Sequence, residues 1–345
     1  EQVSSELHYN DKNLIEKVIR ALSLLEMLVK AGCPLVFKGG TALMLILGKS
    51  AHRLSIDIDL ICPPGTNIED YLKSFADFGF INLELVERKQ RDDADIPKSH
   101  SKFFYQIAYR NDTDAQSYIL LDVLYEDIHY FRTQQIAINC PFIRLEGKPL
   151  MVTVPSAEDI LGDKLTAFAP NTTGIPYYKN GRSCSMEIAK QLYDVGRLFE
   201  NVSDLQITKE AFRKIAVVEL SYRSFGTDIG QVFNDIRQTA LCISTRGKAG
   251  EGDFDLIQDG IIRVKSFMYK QRYLIDHAII DAARAAYLAT LIEKGINEIE
   301  SYSNNPADIK DMVIRPSLPN KLNKLRSNLP EAYYYWAKTS ELLEA

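Results

Sequence analysis

The stretch that most constrains this chain is Phe37 to Leu60, FKGGTALMLILGKSAHRLSIDIDL. A short apolar run, Leu35 to Phe37, meets Gly39 and Gly40, and a solidly apolar segment, Thr41 to Leu47, follows. From Ser55 to Leu60 polar and apolar residues alternate. A strand turns successive side chains to opposite faces. The spacing therefore predicts Ser55, Asp57 and Asp59 on one face and Ile56, Ile58 and Leu60 on the other. Two carboxylates side by side on a rigid strand repel each other, and a divalent cation is the usual answer. Mg²⁺ takes one or two carboxylates and completes its shell with substrate phosphates. The glycines offer a phosphate close backbone approach and N–H groups at a helix start. Each half alone has a plainer explanation: a glycine pair is an ordinary strand-to-helix turn, and an isolated D-x-D an ordinary solvated edge. In this order, with Lys38 before and Arg53 between, they point to metal-assisted chemistry on a nucleotide.

A chain of 345 residues, 46% hydrophobic and 25% charged, is long enough for one large domain or two ordinary ones and has a globular composition. Its net charge of −5 argues against binding nucleic acid over the whole surface, so any polynucleotide site is a local basic patch. Cys33, Cys62, Cys140, Cys184 and Cys242 are scattered, with no C-x-x-C. Reduced thiols and a cytoplasmic location are the expectation. No signal peptide and no apolar run of membrane-spanning length is present, so no membrane partner is expected.

Along the chain, Asn13–Val29 has helical apolar spacing. Cys33–Phe37 and Ser55–Ile61 read as strands flanking a buried helix, Thr41–Leu47, and Ile68–Phe78 as a further helix. Leu83–Arg88, Phe103–Tyr109 and Tyr118–Tyr125 read as strands, Arg91–Ser101 as a polar loop or hairpin end, and Val152–Val154 as a short strand. Asp122 interrupts the apolar run Tyr118–Tyr125. A carboxylate there is costly unless it is paired or metal-bound, or unless the strand is an edge and Asp122 faces water. Ser156-Ala-Glu-Asp159 caps a helix running to about Phe168, in which Lys164 falls inside the apolar arc and either snorkels or serves a site. Ala169–Cys184 reads as a long loop, and Ser185–Phe199 as a helix with Asp194 at the border of its stripe, where a surface ion pair with Lys190 or Arg197 is the plain alternative. Helices follow from Lys209–Ser221, Thr227–Leu241, Gly260–Phe267 and Asp276–Ile292. Basic residues Lys310, Arg315, Lys321, Lys324 and Arg326 precede Tyr333, Tyr334, Tyr335 and Trp336, a combination that either stacks single-stranded bases or is packing beside a solvated face.

KGGTAL followed by R-x-S-x-D-I-D-L resembles the first motif of the AbiEii/AbiGii-type nucleotidyltransferase toxins, a bacterial branch of the DNA-polymerase-β-like nucleotidyltransferases. Thr41 takes the place of the serine usual in that superfamily. D-K-L-T-A-F, around Lys164, resembles the family's second motif, and K-Q-L-Y-D-V, around Asp194, its K-D-L-Y-D-L, with Gln191 in place of an acid. The likeness spans Leu35 to Phe199. It implies an α+β fold: a nucleotidyltransferase-like mixed-sheet domain over residues 1–155, then a mainly helical domain over 156–345. It implies Asp57 and Asp59 as ligands of Mg²⁺ or Mn²⁺, and Asp57, Asp59, Asp122, Lys164 and Asp194 as catalytic residues. Lys38, Gly39, Gly40, Thr41, Arg53 and Ser55 would bind the nucleotide. The implied reaction moves a nucleoside monophosphate from an NTP to an acceptor hydroxyl, such as the 3′ end of a tRNA or another structured RNA. The implied setting is a bacterial toxin–antitoxin pair of the abortive-infection type, with a cognate antitoxin. Alternatives are transfer to a small molecule or protein, a D-x-D glycosyltransferase, and a non-catalytic nucleotide-binding module. The glycine pair and Lys164 argue against the glycosyltransferase.

Overall fold

Asp11 starts the first long helix by accepting the Leu14 backbone N–H at 2.9 Å. In the computed structural model, which describes residues 2–7, 9–85, 98–108, 115–202, 204–223, 226, 228–269 and 271–345, a short α1 (Gln2–Leu7) precedes that helix, α2 (Lys12–Lys30). The chain divides into two units. One comprises Glu1–Ser156 with Phe267–Gln271, the other Ala157–Ser266 with Arg272–Ala345.

In the first unit, β1 (Val36–Lys38) runs into α3 (Gly39–Leu47), and β2 (Ile58–Cys62), β3 (Asn82–Leu85), β4 (Lys98–Gln106) and β5 (Gln116–Tyr125) complete a sheet of order β1-β2-β5-β4-β3. Its β2–β5 pair is parallel and the others antiparallel, so the sheet is mixed. Ile58, Leu60, Leu121, Val123, Phe103 and Tyr105 join the inner side of α2 in one core. A second ladder pairs β6 (Thr133–Ala137) with β7 (Met151–Pro155).

Strand β2 is shorter than the alternation predicts. Ser55, Ile56 and Asp57 precede it, because β1 ends at the Lys38–Asp59 pair and Gly39 turns away into the helix, leaving the preceding residues no antiparallel partner there. Ile68–Phe78 is not one helix but two 3-10 turns, Ile68–Tyr71 and Phe75–Phe78, joined by tight bonds from Leu72 N–H to Glu69 and from Phe75 N–H to Leu72. Residues 98–101, expected as loop, are strand. The rest of the expected Arg91–Ser101 loop, the end of the Leu83–Arg88 strand and Tyr109 lie outside the described residues, as does Thr227.

The second unit is helical: α4 (Ala157–Ala167), α5 (Ser185–Phe199), α6 (Leu205–Ser221), α7 (Ile229–Ser244), α8 (Phe254–Val264), α9 (Ile275–Lys294), α10 (Leu325–Asn328) and α11 (Pro330–Glu344). Mixed sheet followed by helices is the expected α+β class. Within the long loop after α4 a small hairpin pairs Tyr178–Lys179 with Arg182–Ser183, and Asn180 and Gly181 supply the two positive φ angles, 52° and 72°, of a two-residue turn. Tyr333, Tyr334, Tyr335 and Trp336 are all buried on α11, with the Trp336 indole donating to Ser244 Oγ at 2.9 Å. They pack the helices and are not available to stack bases. Among the described residues no helix is long and apolar enough to cross a membrane.

Helices α5, α9 and α11 meet around a buried charge cluster. Asp281 faces Arg197 and Arg284, each at 3.4 Å, and packs directly against Gly196, where a Cβ would stand 2.0 Å from its Oδ1. Arg284 also reaches Glu200 at 2.9 Å and Glu331. Burial pushes the Asp281 carboxyl up to about 6, against the pull of both arginines. The folded chain thus holds a proton that the unfolded chain has already lost. This group stabilises the fold most below about pH 4 and progressively less as the pH rises through 6. The stability difference between wild type and Asp281→Asn should shift against the wild type by on the order of 2 kcal/mol between about pH 4.5 and about pH 7. Urea titrations at the two pH values test it; a pH-independent difference refutes it.

Candidate active site

The glycine turn is built around two side chains. Gly39 opens α3 at φ 76°, a conformation costly for residues with a Cβ, and a Cβ there would stand 2.1 Å from Asp59 Oδ2. A Cβ on Gly40 would stand 2.8 Å from both Arg53 Nη2 and Ser55 Oγ. The glycines therefore let Asp59, Arg53 and Ser55 close onto the start of the helix. Thr41, expected to cradle phosphate, is buried, and its hydroxyl donates to the Asp57 carbonyl at 2.7 Å. Its side chain fixes Asp57, and its contribution to a phosphate reduces to its backbone.

Arg53 is buried and its loop is pinned by Phe267–Gln271. The Leu54 N–H bonds the Phe267 carbonyl at 2.8 Å, the Tyr269 N–H bonds the His52 carbonyl at 2.6 Å, and Arg53 pairs with Met268 as a single bridge. The Tyr269 ring anchors this segment edge-on to Phe142 and Tyr9.

The sheet register assembles a polar row. Lys38 pairs with Asp59, Asp59 with Asp122, and Asp122 with His100, across β1, β2, β5 and β4. Residues in register on neighbouring strands point to the same face. Asp122 is therefore on a central strand, not an edge, and on the half-open face opposite the buried Leu121 and Val123. Its carboxylate meets His100 Nδ1 at 2.5 Å. Lys38 Nζ also lies 5.8 Å from the centre of the Tyr130 ring. His100 and Tyr130 escaped the sequence reading; the run Lys102-Phe103-Phe104-Tyr105 has no alternation that could carry a strand back to His100.

In the second unit Lys164 is buried on α4 and does not snorkel. Its ammonium donates to Gln191 Oε1 at 3.0 Å and pairs with Asp194 Oδ2 at 3.1 Å, both on α5. The Asp194 side chain is only 2% exposed, which removes the surface-pair alternative. Gln191, where the family motif carries an acid, still faces the lysine. Lys179 and Arg182 are exposed on the hairpin.

Carboxylate oxygens such as those of Asp59, and of Asp57 one residue before β2, are the hard donors that Mg²⁺ or Mn²⁺ takes, and Asp122 stands in register beside Asp59. Among the described residues no group of three or more His, Cys, Asp or Glu is placed to hold a metal unaided. A cation using one or two carboxylates and completing its shell with phosphates fits this donor set. Gly39→Ala should lower stability by about 1–2 kcal/mol through the positive φ. The added Cβ should also displace the Asp59 carboxylate and, if that carboxylate serves a reaction, cut activity more than about tenfold. Urea denaturation and a labelling assay read the two effects; a neutral variant refutes the cradle.

No curated protein matches the chain by sequence. Solved structures similar to it include JHP933 from Helicobacter pylori (16% identity, 86% of this chain and 94% of that one, TM-score 0.41). A putative nucleotidyltransferase from H. pylori (16%, 83% and 95%, 0.39) and the nucleotidyltransferase toxin MenT4 from Mycobacterium tuberculosis (13%, 85% and 88%, 0.44) are others. Residues 22–309 match the family described as nucleotidyl transferase AbiEii toxin, type IV TA system. That match covers most of the chain, including all three motif regions. The chain belongs to the AbiEii family of nucleotidyltransferase toxins of type IV toxin–antitoxin systems.

Proposed function

We propose that the chain transfers a nucleoside monophosphate from an NTP to the 3′ hydroxyl of a structured RNA, a tRNA above all, and releases pyrophosphate. The acceptor oxygen bonds to the α-phosphorus, its proton passes to Asp122, and the bond from that phosphorus to the pyrophosphate oxygen breaks. Mg²⁺ or Mn²⁺, held by Asp57 and Asp59, supplies Lewis-acid charge to the phosphoryl oxygens when bound. Lys38, Arg53 and Lys164 offset the charge that develops on those oxygens. Gly39, Gly40 and Thr41 offer backbone N–H groups to the triphosphate, Ser55 adds a hydroxyl beside Gly40, and Asp194 orients Lys164. The observation that carries this reading is the register of Asp59 with Asp122 beside the Gly39 turn. It gives two carboxylates on one face next to a helix start, as metal-assisted phosphoryl chemistry requires.

The RNA assignment rests on family membership and on charge. A net charge of −5 leaves recognition to shape and a free end instead of extended backbone binding. The cytoplasm, where tRNA and the cognate antitoxin are found, is the matching compartment. The experiment incubates the chain with each α-labelled NTP, total bacterial RNA and Mg²⁺, beside parallel reactions with a nucleotide sugar and with small hydroxylated acceptors. The expected result is 3′-end label on RNA of tRNA size. Label on a small molecule or on protein refutes the RNA acceptor, transfer from the nucleotide sugar alone refutes the nucleotidyl chemistry, and NTP binding without transfer identifies a binding module.

A further inference from the structure

We infer that His100 is a positioning residue for Asp122, holding that carboxylate in the orientation in which it takes the acceptor's proton. The inference rests on the nucleotidyl-transfer reading above and names a residue that neither the motifs nor the family likeness marks. His100 and Asp122 stand directly opposite each other in the β4–β5 ladder, so their backbones are fixed relative to one another. The contact between Nδ1 and Oδ1 is 2.5 Å. A carboxylate only accepts, so Nδ1 carries the hydrogen, and this sets the ring's tautomer. The imidazole is packed in, its side chain 12% exposed, whereas the Asp122 side chain is 35% exposed. The ring is the fixed partner and the carboxylate the open one. With Oδ1 engaged, Oδ2 is the oxygen presented to a hydroxyl. Asp122 in turn neighbours Asp59, so a rotation of its carboxylate would be felt at the centre of the polar row.

An ion pair whose carboxylate is open to water contributes little to stability as a pair, about 0–1 kcal/mol. Its effect should appear in the reaction. Outer-shell partners of a reacting carboxylate or metal ligand are typically worth about 10–100-fold in activity. His100→Ala should therefore lower kcat for RNA labelling by about 10–100-fold, with the NTP KM within about threefold. His100→Asn, whose amide N–H can stand near the Nδ1 position, should recover most of the lost kcat. A second readout needs no turnover. An imidazole Nδ1–H resonance protected from exchange should be present in the wild type and absent in both His100→Asn and Asp122→Ala, which assigns it among the five histidines.

A His100→Ala chain with kcat within about twofold of wild type, or equal losses in the Ala and Asn variants, overturns the inference. So does a protected resonance that survives in Asp122→Ala, where no side-chain acceptor remains. A wild-type chain that labels nothing under any NTP overturns the nucleotidyl-transfer reading instead, and the resonance then still decides whether His100 holds Asp122.

Discussion

Replacing Asp59 by Asn should lower nucleotide transfer by more than about 10³-fold, roughly 4 kcal/mol of transition-state stabilisation, and leave the fold standing. Asparagine has nearly the volume of aspartate, so it fits against Gly39 where Asp59 now packs. The β2 ladder uses only backbone groups and is untouched. What disappears is the charge. Asp59 sits in register between Lys38 and Asp122, and neutralising it also relieves the repulsion between the two carboxylates. The attraction to Lys38 is given up at the same time, so thermal unfolding should change little while transfer is lost. Asp57→Asn should act in the same direction, since Thr41 fixes the Asp57 backbone and not its carboxylate. Excess EDTA should reduce wild-type transfer to the level of the variant and have no further effect on Asp59→Asn. Mn²⁺ binding followed by paramagnetic resonance gives a readout without turnover, weakened in both variants. Full activity in EDTA, or an active Asp59→Asn chain, refutes a metal role for this pair.

Local pattern made much of this legible. Asp122 stood out because it breaks an apolar strand, and Lys164 because it falls inside an apolar arc; both prove to have partners that account for their placement. Non-local pairing was not legible. Nothing in the run up to Ser101 announces that His100 will stand opposite Asp122, because that depends on the register of two strands joined through residues of no marked pattern. The strand carrying Asp59 was read too long for a related reason. Alternation continues back to Ser55, but a ladder needs a partner, and Gly39 removes it. The pinning of the Arg53 loop by Phe267–Gln271 joins residues more than 200 positions apart, which no spacing within a motif can convey. The tyrosine run near the C-terminus shows the converse: its composition permits base stacking, and burial on α11 decides for packing.

Lys164→Ala should cost about 3–5 kcal/mol of stability, the scale of removing one partner from a buried ion pair. The ammonium and the Asp194 carboxylate are 3.1 Å apart with side chains only 9% and 2% exposed, so the lost lysine leaves the carboxylate buried without its counter-charge. The Gln191 carbonyl, 3.0 Å from Nζ, loses its donor as well. Such a loss alone would not distinguish a structural pair from one that serves a nucleotide. The double variant Lys164→Met with Asp194→Leu does, because well-packed apolar residues commonly restore what a broken buried pair loses. Stability in the double variant should return to within about 1 kcal/mol of wild type. If Lys164 meets the phosphates, calorimetric titration should still find NTP binding weaker by about 1.5–3 kcal/mol, the worth of a charge-assisted hydrogen bond, and transfer should stay lost. A stable double variant that binds NTP as tightly as the wild type would make the pair a fastener between α4 and α5 and remove Lys164 from the reaction.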